Sequence, residues 1–152
     1  MGKSVGGILI EGPWSSEEIL DYLNATRAPM RLAVNRKSGY PMVIPIWHLW
    51  SDGALWSAIR PNSALARALK GDGRCSFDIS INSPPYKGVR GRGTAILEAN
   101  GQEILEKLVA KFTADSALKF REMLLRQSHD ELAVRLIPER LTAWDFTNRM
   151  SD

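Results

Sequence analysis

The sequence predicts an α+β protein, mainly β, in which an antiparallel barrel of six or more strands carries its helices at the periphery. Three observations lead there. Strand-like runs follow one another in hairpin order, at residues 31–36, 41–50, 55–59, 74–81 and 86–97, with tight turn signals at Ser38-Gly39 and Asp52-Gly53. The helical patterns between and after them are short and one-sided, which suits cover for a sheet. No repeat, low-complexity tract or linker interrupts the 152 residues, so one domain spanning 1–152 is expected. A domain of that length buries roughly 68–70% of its unfolded surface and needs no staple to hold its core.

Each element has a local reason. Ser15-Ser16-Glu17-Glu18 is a capping-box pattern that opens a helix with Ile19, Leu20 and Leu23 on one face, ending near Thr26 before Pro29. Residues 31–36 read as a strand, and residues 41–50 as a second one with proline in its middle. Pro45 has no N–H for a ladder, so an edge, a bulge or a ligand-facing backbone should hold it. Alternation places Met42, Ile44, Ile46, His48 and Trp50 on one face and Val43, Pro45, Trp47 and Leu49 on the other. Both faces are apolar, and a planar cofactor or a second subunit would cover one of them.

Pro61-Asn62-Ser63 introduces a short helix over 64–70 with Leu65 and Leu69 one turn apart and Gly71 as its stop. Cys75, Phe77, Ile79 and Ile81 share one face of the next strand, so Cys75 reads as a packed thiol. In the strand 86–97, Val89, Gly91, Gly93 and Ala95 make one face very small, open to another backbone or a planar ligand, while Arg90 and Arg92 point the other way with Lys87 nearby. Ile104, Leu105, Leu108, Val109 and Phe112 form the stripe of a helix over 102–112, and a further helix is expected over 117–127. Strands at 132–137 and 141–146, around a Pro138-Glu139-Arg140 turn, close the chain.

Composition narrows the function. Twenty basic and seventeen acidic residues give a formal charge of +3, which suits an anionic small molecule at a local patch and supplies no extended basic stripe. The Arg90-Gly91-Arg92-Gly93 run is short and lies in a strand pattern, so nucleic-acid binding is not expected. One cysteine, and two histidines at 48 and 129, offer neither a disulfide nor zinc spacing. The first residues lack the long apolar segment of a signal peptide and nothing resembles a membrane span, so a soluble cytoplasmic protein is expected. No nucleophile elbow or paired catalytic carboxylate is visible, and no catalytic residue is assigned.

Taken in order, Arg31-Leu-Ala-Val, Gly39-Tyr-Pro-Met-Val-Ile-Pro-Ile-Trp-His-Leu-Trp with Asp52-Gly53, Ser63-Ala-Leu-Ala-Arg-Ala-Leu, Pro85-Tyr-Lys-Gly-Val-Arg-Gly-Arg-Gly-Thr-Ala and Ile137-Pro-Glu-Arg-Leu-Thr-Ala-Trp-Asp-Phe resemble the pyridoxamine 5′-phosphate oxidase-like family of FMN-binding split barrels. The resemblance implies an antiparallel split β-barrel, a homodimer with flavin sites between subunits, and FMN or a deazaflavin coenzyme as cofactor. It places Ile44, Pro45, Ile46 and Trp47 along the isoalloxazine ring, with Trp56, Ser57 and Ala58 against ring and ribityl chain. The family's phosphate-binding basic residues usually fall in the segment matching Ser63 to Arg67. Here Ala64 and Leu65 stand at those positions, so Arg60, Ser63, Arg67, Lys87 and Arg90 are the groups expected to hold the phosphate. Loss of one charge-assisted hydrogen bond costs roughly 1.5–3 kcal/mol, about one to two decades of affinity.

The resemblance thus implies a flavin-dependent oxidoreductase acting on a small molecule, in which the cofactor carries the electrons and the protein positions it. The alternative is a non-catalytic protein that holds a flavin, deazaflavin, haem or other planar ligand on the same barrel. Ala64 and Leu65 favour that second reading.

Overall fold

The computed structural model describes residues 3–113, 117–127 and 130–151; His129 lies outside them. In chain order the elements are β1 (Lys3–Val5), β2 (Ile8–Glu11), α1 (Ser16–Ala25), β3 (Met30–Val34), β4 (Met42–Ile46), β5 (Leu49–Ser51), β6 (Ala54–Ile59), α2 (Ala64–Gly71), β7 (Arg74–Ser80), β8 (Lys87–Glu98), α3 (Gly101–Phe112), α4 (Leu118–Arg126) and β9 (Leu132–Asp145), followed by a 3-10 turn, Thr147–Arg149. The protein has the expected α+β, mainly β architecture.

The helix caps follow the sequence closely. The Ser15 hydroxyl accepts from the Glu18 N–H while the Glu18 carboxylate accepts from the Ser15 N–H, and Ile19 and Leu23 point into the core. Ser63 caps α2 by accepting from the Ala66 N–H. That helix runs one residue further than Gly71 suggested: Gly71 is its last turn and Asp72 its cap. Asp52 and Gly53 both have positive φ, the two-residue turn that matches strand twist in a hairpin, and they join β5 to β6.

One sheet contains all nine strands. Its path runs β1-β2-β9-β8-β7-β3-β4, with β6 also on β9 and β5 on β6. The run 41–50 is therefore two strands. β4 ends at Ile46, and Trp47 and His48 form a link before β5. Among the described residues only β3 pairs with β4, so β4 is an edge strand and the missing donor of Pro45, opposite Arg31, leaves no central ladder broken. Among the described residues no ladder joins β4 to β6, and the barrel is split there.

The closing segment differs from its expectation. Residues 132–145 form one strand, with Gly93 opposite Pro138 and Arg92 opposite Arg140, so Glu139 is the extra residue of a bulge rather than part of a turn. The bulge separates two partners on the same side of β9: residues 132–136 pair with β6, and 140–142 pair parallel with β2. A proline with no N–H is accommodated at such a break. The N-terminal strands β1 and β2 had no expected place in the sheet.

The barrel core gathers Leu32, Leu55, Leu65, Phe77, Ile79, Leu136 and Leu141, among others. A second cluster lies on the outer face of β6, where Ile104 and Leu108 of α3 pack on Ala133 with Trp47, Trp56, Ala58 and Phe112 around them. The small face of β8 is filled from within. A Cβ on Gly91 would stand 2.5 Å from the Arg140 carbonyl and 2.6 Å from the Phe77 ring, and one on Gly93 would collide with the Ile137 carbonyl. The neighbouring backbone of β9 occupies the space, so no planar ligand enters on that face.

Candidate functional site

Where the barrel splits, an apolar cleft of about 390 Å³ opens between the end of β4 and β6. Pro29, Pro45, Ile46 and Trp47 line one side, Ala58 of β6 the other, and Leu105 and Leu108 of α3 the wall beyond. Ligand sites typically span about 300–1,000 Å³ and are mostly apolar with few polar groups. The Ser57 hydroxyl donates to the Trp47 carbonyl at 2.7 Å, which ties β6 to the end of β4 where no ladder does. Trp47 stacks on Phe112, with centroids 5.5 Å apart and planes 10° from parallel. Trp56 donates from Nε1 to the Ser51 carbonyl, and the Arg135 guanidinium sits over its ring.

His48, next to the cleft wall, is fully buried (0% exposed). Its Nε2 lies 2.9 Å from the Ala28 carbonyl, so the neutral ring with the proton on Nε2 satisfies that contact, while Nδ1 is buried without a partner. Burial first, then the nearby Lys111 ammonium, push its pKa down to about 4 against the pull of Ala28. Lys111 donates to the Leu23 carbonyl at 2.9 Å and to the His48 carbonyl at 3.1 Å, and burial pushes its pKa down to about 8.

A larger groove, of about 780 Å³, lies between the β3–β4 connection and α2. Arg36, Lys37, Arg67 and Lys70 bring four cations to it. Asp72 is the acid at its edge, and the hydrogen bonds of Arg74 and then Asn35 hold that carboxyl well below the usual carboxylate range. Arg67 donates to the Asn62 carbonyl at 2.7 Å. The groove therefore offers charge suited to an anion.

No protein-family model matches the chain, and no curated protein matches its sequence. Solved structures do match in fold. A conserved hypothetical protein of Mycobacterium tuberculosis superposes with a TM-score of 0.76 at 22% identity, over 99% of this chain and 94% of that one. The fold is that of the pyridoxamine 5′-phosphate oxidase-like split barrels. Other split barrels of similar shape are an F420 reductase (TM-score 0.64, 18% identity, 86% of this chain and 98% of that one) and the heme storage protein of Vibrio cholerae (0.61, 20%, 83% and 92%).

Within this split barrel, the residues singled out from sequence fall into separate places. Pro45, Ile46, Trp47 and Ala58 meet at the cleft, with Ser57 and Trp56 beside Ala58 on β6. Ile44 points into the core on the inner side of β4. Arg67 lines the basic groove, whereas the Ser63 hydroxyl is spent on the α2 cap. Lys87 and Arg90 lie in the part of β8 opposite Asp145 and Thr142, away from the Ala95 end where Gly73 after α2 bonds. Arg60 follows β6 and acts on Glu131. One chain thus does not bring Arg60, Lys87 and Arg90 to the groove that holds Arg67.

The split-barrel frame also recruits residues the sequence reading passed over. Arg36, Lys37 and Lys70 join Arg67, Leu105 and Leu108 wall the cleft, and Phe112 stacks on Trp47 beside it. The helical stripe Leu105–Leu108–Phe112 was visible as cover for the barrel; which strand it covers depends on the fold. Among the described residues no group of three His, Cys, Asp or Glu could hold a metal, and no helix is long and apolar enough to cross a membrane.

Proposed function

We propose that the protein is a cytoplasmic, single-domain flavin-dependent oxidoreductase that binds FMN or a deazaflavin between two copies of the chain and acts on a small organic molecule. The observation that carries this reading is the apolar cleft at the split of the barrel, walled by Pro45, Ile46, Trp47 and Ala58. A planar ring fits such walls, and the edge backbone of β4 offers amide and carbonyl groups to its polar rim. When bound, a flavin or deazaflavin supplies the electron or hydride transfer, so the chain itself needs no nucleophile. Its residues bind, orient and exclude water: Trp47 and the α3 leucines provide the dry side, and Arg36, Lys37, Arg67 and Lys70 provide charge for a phosphate.

The cleft and the basic groove flank opposite ends of β3, at Pro29 and Asn35, roughly 20 Å apart at the rise of a strand. That separation supports a site shared by two copies, each lending one end. A second reading, a non-catalytic holder of haem or another planar ligand, is favoured by Leu65, which sits in the barrel core where the family usually carries a basic residue. The visible spectrum of the purified protein and the mass of any released ligand separate the two. Bound FMN or deazaflavin, or a rise in melting temperature with either, is the expected result. A colourless protein that responds to hemin alone overturns the flavin reading.

A further inference from the structure

We infer that the basic groove between the β3–β4 connection and α2 is a site for a diphosphate group, free or carried by a nucleotide, and that one chain holds all of it. The inference deepens the proposed function, since it rests on the assignment of these cations to a phosphate and names the class of group they take.

The two sides of α2 have different tasks. Leu65, Ala66 and Leu69 are buried in the core and fix the helix on the barrel. Ala64, Arg67, Ala68 and Gly71, at i, i+3, i+4 and i+7, share the side turned to the groove. The small residues among them leave a shallow wall about 10 Å long at the rise of a helix, and Arg67 and Lys70 supply its charge. On the opposite wall the residues after β3 supply Arg36 and Lys37. The Asn35 amide donates to the Asp72 carboxylate at 3.1 Å, so a hydrogen bond joins the two walls.

Charge and size point to the group. Asp72 is the acid that lines the groove, and Arg74, which does not line it, engages that acid fully: its backbone N–H and Nε donate to one carboxylate oxygen at 3.0 Å each, and its Nη2 to the other at 2.8 Å. Among the described residues no ion pair joins Arg36, Lys37, Arg67 or Lys70 to a carboxylate. Arg67 spends Nη1 on the Asn62 carbonyl at 2.7 Å, which orients the guanidinium and leaves its other donors for a ligand. Four unneutralised cations repel one another, and an anion between the walls relieves that. A monophosphate ester carries about −1.5 to −2 at pH 7, and a second phosphate adds about one more negative charge, the closer match to four cations. The groove, at about 780 Å³, is twice the cleft assigned to the ring, at about 390 Å³. A lone phosphate would leave most of it to water, whereas a nucleotide-sized group suits the usual range of about 300–1,000 Å³.

Isothermal titration of the purified chain, with no flavin added, reads the groove by itself. ADP and inorganic pyrophosphate should each bind at least about tenfold more tightly than orthophosphate. Arg36→Gln and Lys70→Gln, one on each wall, should each weaken ADP about tenfold, the effect of one lost charge-assisted contact at an exposed position. Both side chains are exposed, so the variants keep the fold, which circular dichroism checks. Lys107→Gln, on α3 and paired with Glu103, removes the same charge elsewhere and should leave the affinity unchanged. ADP tighter than pyrophosphate identifies a nucleotide as the source of the group; ADP no tighter identifies free diphosphate. Equal affinity for orthophosphate and pyrophosphate, or ADP binding that Arg36→Gln and Lys70→Gln leave unchanged, overturns the site. FMN binding without ADP binding also overturns it and leaves the flavin reading standing, whereas ADP binding in a protein that takes up no flavin does the reverse.

Discussion

Leu65 is 2% exposed and packs in the barrel core, so the position at which the family resemblance implied a basic residue is closed in this chain. Leu65→Lys would bury an ammonium with no partner among apolar side chains. We expect it to lower stability by about 3 kcal/mol or more, read as a shift in the urea midpoint, and to leave FMN affinity no tighter. His48 makes a second prediction at this scale. Its folded pKa is depressed to about 4 and its unfolded value is near 6.5, so the unfolded chain binds the proton first. Stability is full above pH 6.5 and falls as pH drops towards 4. Chemical denaturation at several pH values should show that slope in the wild type and lose it in His48→Gln. Both residues were readable only in part. The helical spacing of Leu65 and Leu69 is plain, but whether their shared face meets the core or a pocket is decided by α2 lying across β3 and β8. His48 sat in alternation with core residues, and its burial agrees; its unpartnered Nδ1 and its Lys111 neighbour depend on α3, more than fifty residues on.

At the scale of elements, local chemistry explains what the sequence revealed. The Ser15 and Ser63 caps and the Asp52-Gly53 hairpin each need only neighbouring residues, and each is present. The β9 bulge is the contrary case. A bulge shifts the period-2 pattern by one residue, and a proline at the break removes a donor, so Pro138-Glu139-Arg140 carries the marks of a turn although the chain stays extended. The glycines of β8 mislead for a related reason. Their small face was open to two occupants, and the β9 backbone with the Phe77 ring is the one that fills it. Gly91→Ala should therefore cost about 1–3 kcal/mol or more by forcing the Arg140 backbone and the Phe77 ring aside, with no direct effect on any ligand. Thermal unfolding with and without FMN checks this, since a ligand contact there would change the shift on binding as well as the melting temperature.

For the whole molecule, the unpaired edge of β4 is the feature that calls for a second copy. Val43 is 64% exposed and Pro45 is exposed beside it, whereas Trp47 and Trp50 already pack within one chain on Phe112 and on the core. Apolar residues on an open strand edge invite pairing, and a charge there prevents it. Light scattering should give a dimer mass for the wild type, and Val43→Lys should shift it towards the monomer while the fold, read by circular dichroism, is unchanged. A wild-type mass that stays monomeric at all concentrations would refute the shared site. The barrel and its element order were legible because hairpins are local, and the split was expected from the family resemblance; the cleft beneath α3 and the grouping of Arg36, Lys37, Arg67 and Lys70 were not legible, since each joins segments distant along the chain.

The three-way pairing of β9 has a bearing on how the chain comes to be folded in a cell. β6 is finished at Ile59 and β2 at Glu11, yet the strand that both must join begins only at Leu132. At synthesis rates of about 5–20 residues per second, the roughly 70 residues between β6 and β9 take on the order of 4–15 s to emerge. Throughout that interval β2 and β6 present apolar, unpaired edges to the surroundings. A nascent chain halted before Leu132 should be cut readily by protease and held by chaperones, and release of the final strand should convert it to a resistant form in one step.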